Sequence, residues 1–113
     1  MPSLSLRIDL DPEGRIGPGK IDLLERIAST GSISAAARAM GMSYKRAWDL
    51  VDEMNRLFGK PLVAAQSGGT RGGGASLTAV GRSVVTRFRT IETVALAAAG
   101  AEIAALQAEI DAG

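Results

Sequence analysis

The tightest constraint in this chain is a helix too short to stand alone. After Ser32, which can act as an N-cap, the apolar positions Ile33, Ala36, Ala37 and Met40 fall at offsets 0, 3, 4 and 7, one stripe of an α-helix. Gly41 stops that stripe where a left-handed C-terminal residue is commonest. Only Met42 separates the stop from Ser43, a second N-cap candidate. A new stripe follows at once, through Ala47, Leu50, Val51, Met54, Leu57 and Phe58, and "GKP" at residues 59–61 ends it. Two helices joined by so short a turn must pack on each other, and the small residues of the first let the second approach closely. The second helix then opens with Tyr44, Lys45 and Arg46 opposite its buried stripe. This is the layout of a helix-turn-helix, which places the start of its second helix in the DNA major groove.

The flanking segments extend the pattern. "LSLRIDL", residues 4–10, alternates apolar and polar residues and predicts a half-buried strand. "DPEGRIGPG" predicts a turn or loop. From Lys20 the period becomes helical, with Ile21, Leu24, Ile27 and Ala28 on one stripe that stops near "STGS". After the two central helices, "LVAAQ" at 62–66 and "ASL" at 75–77 are strand candidates on either side of "SGGTRGGG", a loop with five glycines and one arginine. Thr78 can cap a last helix whose stripe runs Val80, Val84, Phe88, Ile91, Ala95, Ala99, Ile103, Leu106 and Ile110. The expected fold is mainly α with a small β wing: a winged helix-turn-helix with a long C-terminal helix. Residues 1–77 form the DNA-binding domain with its N-terminal strand. Residues 78–113 form a dimerisation element, because the far half of the last stripe is too sparse to be a core of its own.

Composition removes other classes. The 113 residues are 46% hydrophobic and 22% charged, enough for one domain with a real core. With no histidine and no cysteine, imidazole catalysis, thiolate chemistry and thiol or imidazole metal sites are excluded. No metal site, cofactor or enzymatic activity is expected. The glycine loop lacks a following "GK[ST]" and does not fit G-x-G-x-x-G, so it is no nucleotide cradle. Asp49, Asp52 and Glu53 read as a solvated helix face or as partners of Arg46 and Arg56, and Trp48, Met40, Met42 and Met54 as core or core edge. The N-terminus carries no secretory signal and no apolar run reaches membrane-spanning length, so a cytoplasmic protein without a membrane partner is expected. Net charge is only +1, but it is sorted along the chain. Met54 to Ile91 holds Arg56, Lys60, Arg71, Arg82, Arg87 and Arg89 and no acid, whereas Glu92 onward holds only acids. Such a gap predicts a face that meets an anion.

Double-stranded DNA is therefore the expected partner. Lys45 and Arg46 reach phosphates or guanine edges, and Tyr44 a phosphate or a thymine methyl. The Ser43 hydroxyl and the first N–H groups of its helix form a phosphate site. Arg71, with Gly72 and Gly73, lies at the wing tip against a minor groove or backbone phosphate. Ser32 and Ser34 join the candidate set from the preceding helix.

The same residues resemble a known family. "GSIS", "G-x-SYK-x-AW", "EMN", a wing of "GG-[basic]-GGG" and "LT-x-x-G" are similar to the N-terminal DNA-binding domain of the molybdate-responsive ModE regulators, over roughly residues 18–90. LysR-type regulators share a looser version of the pattern. The resemblance implies a winged helix that dimerises through its flanking helices and represses transcription. It also implies tandem molybdate-binding domains after the DNA-binding domain. The sequence to Gly113 holds none, and molybdate is not expected as a ligand. The alternatives are a dimeric partner module that modulates a full-length regulator through mixed dimers, and a small oxyanion-binding protein.

Overall fold

The computed structural model describes residues 1–66 and 74–113. Along the chain run β1 (Ile8–Asp9), β2 (Arg15–Ile16), α1 (Pro18–Thr30), α2 (Ile33–Ala39), α3 (Tyr44–Phe58), β3 (Val63–Gln66), β4 (Gly74–Leu77) and α4 (Ala79–Ala112). The capping chemistry read from the sequence is present. The Ser32 hydroxyl accepts from the Ala35 N–H, Ser43 from Arg46, and Thr78 from Gly81, at 3.0–3.1 Å. Gly31, Gly41 and Gly59 end the first three helices at φ between 66° and 72°, a region closed to most residues with a Cβ.

The core is a single cluster around α1, α2 and α3. Ile21, Leu23, Leu24 and Ile27 of α1 meet Ile33, Ala36 and Ala37 of α2 and Ala47, Leu50, Val51 and Met54 of α3. Leu62, Val63 and Leu77 of the wing base and Phe88 of α4 close it. The α1 stripe differs from expectation at two positions: Ala28 is exposed, and Leu23 is buried. The wing base contacts the inner end of α1, where the Ala75 N–H donates to the Gly31 carbonyl, and this gives α1 a second buried flank.

The N-terminal segment alternates as expected, with Leu4, Leu6, Ile8 and Leu10 half-buried and Ser5, Arg7 and Asp9 exposed. Its ladder, however, covers only Ile8↔Ile16 and Asp9↔Arg15. The partner strand lies inside the stretch read as a loop. Side-chain alternation reports which face is covered; the length of the ladder is set by the partner, and Gly17 and Pro18 end that partner by starting α1. The wing matches expectation, with β3 and β4 antiparallel in the register Val63↔Leu77 to Gln66↔Gly74.

Helix α4 runs 34 residues, about 51 Å at 1.5 Å per residue. Its first turns pack on the core and the remainder projects, so the radius of gyration is 17.0 Å where about 13 Å would suit a compact chain of this size. One window of α4 is long and apolar enough, by length and composition, to cross a bilayer, and none of that window is buried. This corrects the expectation that no run reaches that length. The stretch from Thr93 to Ile110 is mostly alanine and aliphatic residues with only Glu102 and Glu109 as charges, and two isolated acids interrupt an apolar run without removing its overall apolarity.

Candidate nucleic-acid interface

Helix α3 has four differently used faces. Ala47, Leu50, Val51 and Met54 point inward. Opposite them lie Lys45, Asp49, Asp52 and Arg56, all exposed, forming two i,i+4 pairs: Lys45 Nζ to Asp49 at 3.0 Å and Arg56 to Asp52 at 3.2 Å. Of the two basic residues expected to pair with these acids, Arg56 does so and Arg46 does not; Asp49 pairs with Lys45 one turn before it, and Arg46 lies on another flank. On that flank Arg46 and Glu53 share a surface groove with the N-terminal hairpin. On the remaining side Tyr44 stands exposed and edge-on to Trp48, ring centroids 6.3 Å apart, while Trp48 half-buries against the core. Tyr44, Lys45 and Arg46 therefore sit together in the exposed first turn, as the sequence predicts.

The serines are placed differently. Ser32 and Ser43 hold helix N-termini, and Ser34 accepts from Arg38 at 3.0 Å within α2. Ser43 takes the N–H of Arg46 and so occupies part of the phosphate site expected of it; its hydroxyl hydrogen remains available for donation. Arg71, Gly72 and Gly73 lie outside the described residues.

The acid-free segment is not one anion-facing surface. Arg89 is consumed by structure: its guanidinium bonds Glu92 at 2.8 Å, Asp22 at 2.7 Å and Glu25, joining α4 to α1. These carboxylates, Glu25 first and then Glu92, raise the arginine's pKa further above its usual value, so it stays charged at any accessible pH. Arg82 donates to the Leu77 carbonyl at 2.9 Å, and Arg87 to Ser83. Charge sorting along the chain predicts sorting in space only where neighbours in sequence stay neighbours in the fold, and α1 brings its acids to α4 from more than sixty positions away.

Sequence reasoning missed two framework residues and one basic surface. Asn55 Oδ1 accepts from the Leu62 N–H at 2.9 Å and fixes where β3 leaves α3. A methyl built on Gly81 would overlap the Leu62 carbonyl oxygen, so α4 can cross the wing base only with glycine there. The quoted "EMN" and "LT-x-x-G" stretches contain both residues, yet nothing in their spacing names Leu62 as the partner. The missed surface is Arg7, Arg15 and Lys20, which line the groove beside α3. These residues precede the acid-free segment, so a count of charges along the chain passes over them.

Comparison with known proteins agrees with this architecture. The chain is 50% identical over 78 residues to the molybdenum-pterin-binding protein MopB of Rhodobacter capsulatus, covering 69% of this chain and 29% of that protein. It is 42% identical over 87 residues to the molybdenum transport protein ModE of Azotobacter vinelandii, covering 77% and 32%. It is 48% identical over 71 residues to the DNA-binding transcriptional dual regulator ModE of Escherichia coli K12, covering 63% and 27%. The chain thus spans under a third of the length of these relatives. A crystal structure of the CbnR DNA-binding domain with DNA superposes at TM-score 0.60 and 22% identity, covering 78% of this chain and 95% of that one. Full-length LysG of Corynebacterium glutamicum superposes at 0.59 and 24%, covering 83% and 30%. Both share the winged helix-turn-helix fold. Over residues 19–82, more than half of its length, the chain matches the bacterial regulatory helix-turn-helix proteins of the lysR family, and it belongs to that family.

Proposed function

We propose that the protein is a sequence-specific DNA-binding transcriptional regulator of the ModE type, acting in the cytoplasm as a homodimer with no catalytic role. The observation that carries this reading is the first turn of α3. Tyr44, Lys45 and Arg46 are exposed together, on a helix whose angle is fixed by a short packed α2 and a glycine turn. In a helix-turn-helix those positions meet base edges and phosphates. Similarity to regulators named for DNA binding supports it. In this reading Ser43 donates to a phosphate, and Arg71 with Gly72 and Gly73, between β3 and β4, meets the backbone. Ser32 contributes by capping α2, and Ser34 accepts from Arg38 within that helix. Repression is the direction the resemblance implies.

The test is selection of bound sequences from a random duplex library, followed by anisotropy titrations on the selected duplex. A sequence with two-fold symmetry should emerge. Lys45→Ala should lose about 1–3 kcal/mol on it and relax preference at one base position. Recovery of no preferred sequence, or unchanged affinity on Lys45→Ala/Arg46→Ala, would rule out base reading by α3.

A further inference from the structure

The N-terminal hairpin lies outside the residues that match the family model, which begin at residue 19. It is nevertheless fastened to the DNA-reading helix. A methyl on Gly14 would overlap the Leu57 side chain, so the hairpin turn sits directly on the C-terminal half of α3. The stem of Arg7 packs beside Gly17, and the Leu10 N–H donates to the Gly14 carbonyl at 2.8 Å, closing the turn. Between hairpin and helix runs an open groove of about 880 Å³. Arg7, Arg15, Lys20, Arg46 and Arg56 line it, against only Glu13 and Glu53 among acids.

The partners of these cations decide what the groove is for. Arg56 is held by Asp52, and Arg15 has only a loose, exposed contact with Asp9 at 3.6 Å. Lys20 donates to the Arg15 carbonyl at 2.9 Å and keeps its charge uncompensated. Among the described residues, the guanidiniums of Arg7 and Arg46 have no ion-pair or hydrogen-bond partner. Folding brings like charges together here at a cost, and an anion offsets that cost. A helix lying in the major groove is flanked by phosphate strands, so basic groups on an element docked alongside it face a backbone. Arg46 belongs both to the reading turn of α3 and to the groove, which makes the two surfaces continuous.

We propose that the hairpin is an additional DNA-contacting element, its Arg7 and Arg15, with Lys20 at the start of α1, continuing from Arg46 as a track for the phosphates flanking the site read by α3. The proposal rests on the DNA-binding reading above and adds a surface to it. Contacts of this kind position the protein and carry no base information. Arg7→Gln/Arg15→Gln, which keeps both stems, should make the slope of log affinity against log salt shallower by about two. The fold loss should be the same on the selected duplex and on a mixed-sequence duplex. Glu13→Gln/Glu53→Gln, in the same groove, should bind both duplexes more tightly, a direction that damaged folding would not produce. An unchanged salt slope in the arginine pair, or weaker binding by the glutamate pair, overturns the proposal while leaving base reading by α3 intact. Calorimetric titration with inorganic phosphate gives the remaining arm. A saturable site lost in the arginine pair would make the groove a small-anion pocket and overturn the backbone track. If wild type binds neither duplex at low salt, the DNA-binding reading fails first and the hairpin proposal with it.

Discussion

At Gly81 two residue-scale rules oppose each other. Glycine inside a helix costs about 1 kcal/mol relative to alanine, so propensity alone says Gly81→Ala should stabilise α4. The Leu62 carbonyl lies where the new methyl would go, and this neighbour is backbone, which cannot rotate away. Overpacking of that kind costs about 1–3 kcal/mol and wins. Thermal unfolding should therefore show Gly81→Ala below wild type; a higher midpoint would mean that α4 can slide on the wing base. Asn55 holds the other end of the same residue, accepting from the Leu62 N–H. Replacing it with Ala strands the N–H of the buried Leu62, a loss of about 1–3 kcal/mol by denaturant titration. Parity with wild type would mean that water takes over the bond. Leu62 is fully buried between the two contacts, so one residue sets how helix, wing and last helix meet.

Among elements, α4 is attached by two neighbouring residues of different kinds. Phe88 is 2% exposed and fills the core edge, whereas Arg89, its side chain 36% exposed, clamps Asp22 and Glu25 of α1. Phe→Ala in a core costs about 3–5 kcal/mol. Part-exposed ion pairs are worth roughly 0.2–1 kcal/mol each and are screened by salt. The apolar contact holds α4 on, and the clamp orients it. Phe88→Ala should destabilise several-fold more than Arg89→Met in denaturant titration, and added salt should narrow only the Arg89 difference. Comparable, salt-independent losses would make the clamp the principal attachment. Beyond Phe88, no residue of α4 is buried, and the helix projects from the core.

At the scale of the molecule, the projecting half of α4 leaves Ile91, Val94, Leu96, Leu106 and Ile110 exposed, the last two at 69% and 71%. Alanine-rich helices without tertiary support are marginal in water, and an apolar stripe of this length is covered most simply by an equivalent helix related by a two-fold axis. Pairing two modules also strengthens binding, because one winged helix alone holds DNA weakly. Light scattering at tens of micromolar protein should give a dimer. Leu106→Asp/Ile110→Asp should give a monomer with much weaker binding to a symmetric duplex whose half-sites lie about 34–36 Å apart, or a multiple of that. A wild-type monomer that binds such a duplex tightly would dispose of the dimer. Insertion of the same stretch into vesicles of neutral lipid would assign it to a bilayer instead.

Local chemistry made much of this chain readable in advance. The caps at Ser32, Ser43 and Thr78, the stops at Gly41 and Gly59, the buried stripes of α2 and α3, and the wing strands follow from neighbours within about four residues, and sequence contains those neighbours directly. The exposed Tyr44-Lys45-Arg46 turn was legible for the same reason, since a stripe that buries one helix face names the face left outside. The rest depended on partners far along the chain. Arg89 looked like part of an anion-binding segment until α1 supplied Asp22 and Glu25. Asn55 and Gly81 gained meaning only from Leu62, and Arg7 and Arg15 only from the docking of Gly14 on Leu57. Short-range hydrogen bonding and periodicity are properties of a segment. Which charges are spent inside the fold, and which are left to meet an anion, is decided by the packing of segments on one another.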